Sequence, residues 1–261
     1  MNLCQSHINL SIEVSQFLSN CTDVKEESVT DYLVWKWSEL DKRFKHININ
    51  TFTRQEENKT TGADYELELW LIGRVFSFPL VIQAKKFIKN FDSYHAKLNY
   101  PDKTQNQLKT LLIYAQAKRR LPFYVFYSLP DISTQVMCTR GSKVKLQNTG
   151  VFMADAYTIK DFADQKPGTR ISKNQLLKES NPFHCIFCCP MSSNGEYFQR
   201  YFRNLSDSLS ISQDIPFPNY VDLLLTNQIS EINNDELTTI INQNELRTYR
   251  HVAVYDMRNI D

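Results

Sequence analysis

Gly62-Ala63-Asp64-Tyr65-Glu66 and Val81-Ile82-Gln83-Ala84-Lys85 are the two stretches on which the fold turns. Residues 63–71 are rich in aromatic and aliphatic side chains, and 75–84 are almost continuously apolar, with Gly73-Arg74 between them. A glycine at the first central position signals a two-residue hairpin turn. That turn sets Asp64 opposite Gln83 and Gly62 opposite Lys85. Strand alternation then points Asp64, Glu66, Gln83 and Lys85 to one face. Pro79 has no N–H to give this register, so a bulge is expected near it. An acid, an amide and a lysine at neighbouring strand ends are what is needed to hold a divalent metal and a water over a phosphodiester.

Working outward, Leu33, Trp37, Leu40 and Phe44 recur at helical spacing and predict a helix over 27–44, with a shorter one within 1–22. Residues 105–119 carry Leu108, Leu111, Leu112 and Ala115 on one helical face, 122–129 read as a buried strand, and 150–156 as another that enters a helix at 158–164. This order predicts an α/β fold with a mixed central sheet flanked by helices. Residues 1–165 are read as the core. Residues 166–261 are read as a C-terminal extension, packed on the core or completing its sheet, with 251–256 as a last strand.

An acid at one strand end followed on the next strand by carboxylate-x-Lys marks the PD-(D/E)xK nucleases, and the present motif resembles their Gln-x-Lys variant, as in Mrr-type restriction enzymes. The string GAD-x-E…QAK also resembles an uncharacterised bacterial family associated with anti-phage defence. The resemblance implies a restriction-endonuclease-like core and a Mg²⁺- or Mn²⁺-dependent endonuclease. Asp64, Gln83 and Glu27 would ligate the metal, Lys85 would stabilise developing charge, and Glu66 would be a spare acid. Gln107, with Gln105 as alternative, would touch substrate or a metal-bound water, and Lys86 and Lys89 would meet the phosphate backbone. Gln83 offers a neutral carbonyl oxygen where a carboxylate is usual, which suits a hard cation that keeps several waters but weakens its affinity. Glu27 has an alternative reading as a solvent-facing acid favoured by the helix dipole.

The net charge is +1, yet residues 85–120 carry nine bases against two acids, and 205–261 carry nine acids against three arginines. A basic stretch starting at the candidate lysine points to nucleic acid, above all double-stranded DNA, with a solvated helix face as the alternative. Cutting both strands with one site per chain favours a homodimer, and a defence-operon partner would dock on the acidic C-terminal third. A catalytically degenerate binding or regulatory subunit is the rival function. No apolar run approaches a membrane span and no leader pattern opens the chain, so a cytoplasmic protein with six reduced cysteines is expected. His184, Cys185, Cys188 and Cys189 suggest zinc, but a structural site needs a second half that the sequence does not display as a pair, and 180–190 reads as a buried strand.

Overall fold

The computed structural model describes residues 2–21, 23–51, 65–87, 98, 107–130, 134, 136–138, 143–144, 149–165, 169–191, 196–211, 217–226 and 228–259. Helices α1 (Leu3–Asn20) and α2 (Glu26–Phe44) precede strand β1 (Ile47–Thr51) and the hairpin β2 (Tyr65–Ile72) and β3 (Ser77–Phe87). Helix α3 (Gln107–Lys118), strand β4 (Leu121–Ser128), the small hairpin β5 (Val136–Met137) and β6 (Lys143–Val144), strand β7 (Val151–Asp155) and helices α4 (Ala156–Ala163) and α5 (Lys173–Lys178) follow. The last third holds β8 (Asn181–Pro182), the short helix α6 (Cys185–Cys188), helices α7 (Glu196–Ser208), α8 (Asn219–Leu225) and α9 (Asn234–Gln243), and strand β9 (Tyr249–Asp256).

Seven strands form one mixed sheet in the order β1-β9-β2-β3-β4-β7-β8. β9 runs parallel to β2 and β3 parallel to β4, and the other pairs are antiparallel. The chain is therefore an α/β protein with a mixed sheet between helical layers. Because the last strand lies between β1 and β2, the C-terminal third contributes to the middle of the sheet.

Alternation decides what each face buries. Leu67, Leu69 and Leu71 of β2, Phe78, Leu80 and Ile82 of β3, and Phe123 and Val125 of β4 meet Val14 of α1, Leu33 and Trp37 of α2, and Phe202 of α7. On the opposite face, Trp70, Val81, Tyr124, Phe126 and Val252 meet Leu108 and Leu111 of α3, Ile159 of α4, and Val221 of α8. Burial on both faces is why β3 reads as an unbroken apolar run.

Several expectations are corrected. Ile72 pairs with Ser77, so the hairpin closes through residues 73–76 rather than a two-residue turn, and the pairing slides by two. A two-residue slide preserves which face each side chain takes, and Asp64, which the shorter turn would set opposite Gln83, lies outside the described residues. The loop is specified sterically: a Cβ on Gly73 would lie 2.2 Å from the Phe76 ring. Trp70 faces Pro79 with no break in the ladder, so there is no bulge. The segment 180–190 is not one strand. It is a two-residue strand followed by the turn that starts α6. Nor are all cysteines reduced, since Cys4 of α1 is disulfide-bonded to Cys188 of α6, with Cα atoms 4.6 Å apart.

Helix α2 is tied to β9 through Asp31, whose carboxylate accepts from Arg250 Nε at 2.6 Å, from Arg250 Nη2, and contacts His251 Nε2 at 2.8 Å. Partial burial works against ionisation, but the hydrogen bonds from Arg250 and His251 hold the Asp31 carboxyl below its ordinary 3.8. A depressed folded-state value means that the stabilisation is present above that ordinary pKa and is lost as pH falls through the folded one. Asp31→Asn should therefore cost about 1–2 kcal/mol at neutral pH, discounted for exposure. Urea titrations from pH 7 to 3 should show the gap between the two proteins closing below about pH 4.

Candidate active site

Gln83 and Lys85 lie on β3 at the alternation of Val81 and Phe87, and both side chains are buried, with 2% and 7% exposure. The Gln83 amide donates through Nε2 to the Ala84 carbonyl at 3.4 Å, while its Oε1 is buried and unpartnered. An unmet buried carbonyl costs about 1–3 kcal/mol, so its retention asks for a ligand or a functional reason.

At the same strand end, the first turn of α2 brings Glu26 to the motif. Glu26 Oε1 is 3.9 Å from Lys85 Nζ, and Oε2 accepts the Lys86 backbone N–H at 3.2 Å. Burial raises the Glu26 carboxyl above the usual carboxylate range; Lys85 opposes this, and the neighbouring Glu27 adds to it. The first-helix acid at the lysine is thus Glu26, one residue before the Glu27 expected from the sequence. Glu27 stands beside it, half-buried.

Lys86 points the other way, as strand alternation requires, and its ammonium donates to the Val24 carbonyl just before α2. Gln107 opens α3, the helix over the Gln83 face, and its Oε1 is also buried and unpartnered. Tyr124 stands next to Gln83 across the β3–β4 pairing, with an unpartnered hydroxyl whose pKa burial pushes up. These unpartnered polar atoms of Gln83, Gln107 and Tyr124 share one side of the sheet, where Trp70 Nε1 is likewise unpartnered. Tyr124 is hidden in an aromatic strand and gives no signal in the sequence. Asp64, Lys89 and Gln105 lie outside the described residues, and Glu66 is described only as a position on β2.

The unmet Gln83 carbonyl oxygen and the carboxylates of Glu26 and Glu27 are oxygen donors of the type that hard divalent cations take. Among the described residues, no three His, Cys, Asp or Glu side chains gather where a metal ion could be held. The basic stretch is also less exposed than it reads. Lys85 and Arg120 are buried, and Lys118 Nζ meets Glu245 at 3.0 Å.

Among the described residues, no helix is long and apolar enough to cross a membrane. A model of a family of unknown function, DUF6615, matches residues 3–259. No curated protein and no solved structure matches the chain.

Proposed function

We propose that this chain, which belongs to the family of unknown function DUF6615, is a metal-dependent nuclease with a restriction-endonuclease-like core. The observation that carries the reading is the buried Gln83 carbonyl, left without a partner two residues from a buried lysine that meets a helix-borne acid. A fold that needed only stability would fill these positions with apolar residues, as it does at Val81 and Phe87.

Asp64, Gln83 and Glu26 or Glu27 would hold Mg²⁺ or Mn²⁺, with Glu66 in reserve, and a bound divalent ion supplies a more acidic water and charge neutralisation at phosphate oxygens. The residues of the chain do the rest. Lys85 places its ammonium where negative charge develops on the phosphate, and Glu26 orients that ammonium from the α2 side. Gln107, at the start of α3, reaches the scissile strand or its water. Double-stranded DNA is the favoured substrate; the resemblance to a defence-associated family supports a role in anti-phage defence, and cutting both strands with one site per chain favours a homodimer, with an operon partner as the alternative assembly.

A second reading, a binding or regulatory subunit that does not cut, draws on the lack of a gathered acidic cluster among the described residues. Incubating the purified protein with supercoiled DNA, linear DNA and RNA, each with Mg²⁺, Mn²⁺ or EDTA, separates the two. The nuclease produces nicked or linear products with metal and none with EDTA. The binding subunit retards DNA on a gel and leaves it intact in every condition.

A further inference from the structure

Helix α6 lies against α1, and their facing side chains match in pairs: Cys4 with Cys188, and one turn along each helix His7 with His184. Cys4 and Cys188 are half-buried and bonded to each other, within reach of a small reductant. His7 and His184 are 2% and 7% exposed and line one small cavity with Ser11, Trp37 and Phe187. The His7 ring stacks on Phe187 at 3.6 Å, which fixes its orientation. Each imidazole keeps one buried ring nitrogen unpartnered, Nε2 of His7 and Nδ1 of His184. Two orphaned imidazole nitrogens one turn from a pair of sulfurs make an uncommon arrangement for a packed interior.

We propose that Cys4, His7, His184 and Cys188 form a Zn²⁺ site when the Cys4–Cys188 disulfide is reduced. Two thiolates and two neutral imidazoles are the donor set of a closed tetrahedral zinc site, with ligands spaced i,i+3 on α1 and i,i+4 at α6. The missing second half of the His184-Cys185-x-x-Cys188 motif is therefore Cys4-x-x-His7, brought from the other end of the chain.

In this structure the two sulfurs are bonded to each other, and no group of three or more His, Cys, Asp or Glu side chains among the described residues is placed to hold a metal ion. A dithiol reductant opens the disulfide by exchange, becoming a cyclic disulfide itself and leaving two thiols. Zn²⁺ then forms two Zn–S bonds with release of two protons, and accepts a lone pair from each imidazole without further release. Metal and disulfide thus alternate as the link between α1 and α6.

The test compares oxidised protein with protein reduced by a dithiol and desalted under argon, each titrated with Zn²⁺ against a chromogenic chelator and with Co²⁺ by absorption. Expected are one Zn²⁺ per reduced chain, none per oxidised chain, and a thiolate-to-cobalt charge-transfer band in the reduced wild type. His7→Ala and the pair Cys4→Ser with Cys188→Ser should each weaken Zn²⁺ by at least ~10-fold. Absence of Zn²⁺ from the reduced protein, or a Co²⁺ spectrum without the thiolate band, overturns the proposal. The cobalt spectrum is read on the wild type, so it stands even if a variant fails to fold.

Discussion

Lys85→Ala should lower the rate of metal-dependent cleavage by about 10²-fold or more, the scale of losing one preorganised group that stabilises developing charge. Lys86→Ala should leave that rate near the parent's. The two lysines have equal charge and adjacent positions, but β3 sends them to opposite sides: Lys85 to the face of Gln83, Lys86 to the Val24 carbonyl. Losing the Lys86 bond should instead appear as about 1 kcal/mol of stability. Single-turnover cleavage at saturating metal, with urea midpoints for both variants, reads the two effects separately. Equal rate losses would mean that the lysines act as a diffuse basic patch.

Glu68→Ala should be among the most destabilising single substitutions in the chain, costing about 3–5 kcal/mol in urea unfolding. Glu68 is wholly buried, and both carboxylate oxygens are used. Oε1 accepts from Arg120 Nε at 2.6 Å, and Oε2 from the Tyr220 hydroxyl at 2.8 Å. Arg120 also donates to Tyr220 at 3.1 Å and lies over the Trp70 ring at 4.6 Å. Removing the acid leaves a guanidinium in the interior with no opposite charge beside it. Combining Glu68→Leu with Arg120→Met should recover most of the loss, since an apolar pair of similar volume avoids the desolvation of both ions. A loss below about 1 kcal/mol for Glu68→Ala would show that water reaches Arg120.

The sequence does not announce this ion pair. Glu68 follows Asp64 and Glu66 at alternate positions, the pattern of a solvated strand face, yet it is wholly buried. Its partner, Arg120, follows α3 and reads as part of a basic run. The hairpin itself is legible because residues 78–82 are apolar without alternation, the pattern of a strand covered on both faces. Its register is not, because Gly73 serves a loop closed over the Phe76 ring instead of the shorter turn. Which acid reaches Lys85 is hidden too: Glu26 and Glu27 differ by about 100° around α2, and only the seating of the helix chooses between them. The Cys4–Cys188 link spans a sequence separation of 184, beyond any local pattern.

The most direct test of the nuclease assignment compares the parent protein with Asp64→Ala on supercoiled DNA, with Mg²⁺ and with EDTA. The account predicts nicking by the parent in Mg²⁺ alone, no nicking by Asp64→Ala in either condition, and unchanged circular dichroism and urea midpoint for the variant. Cleavage by Asp64→Ala at the parent's rate, or cleavage by the parent that persists in EDTA, would contradict it.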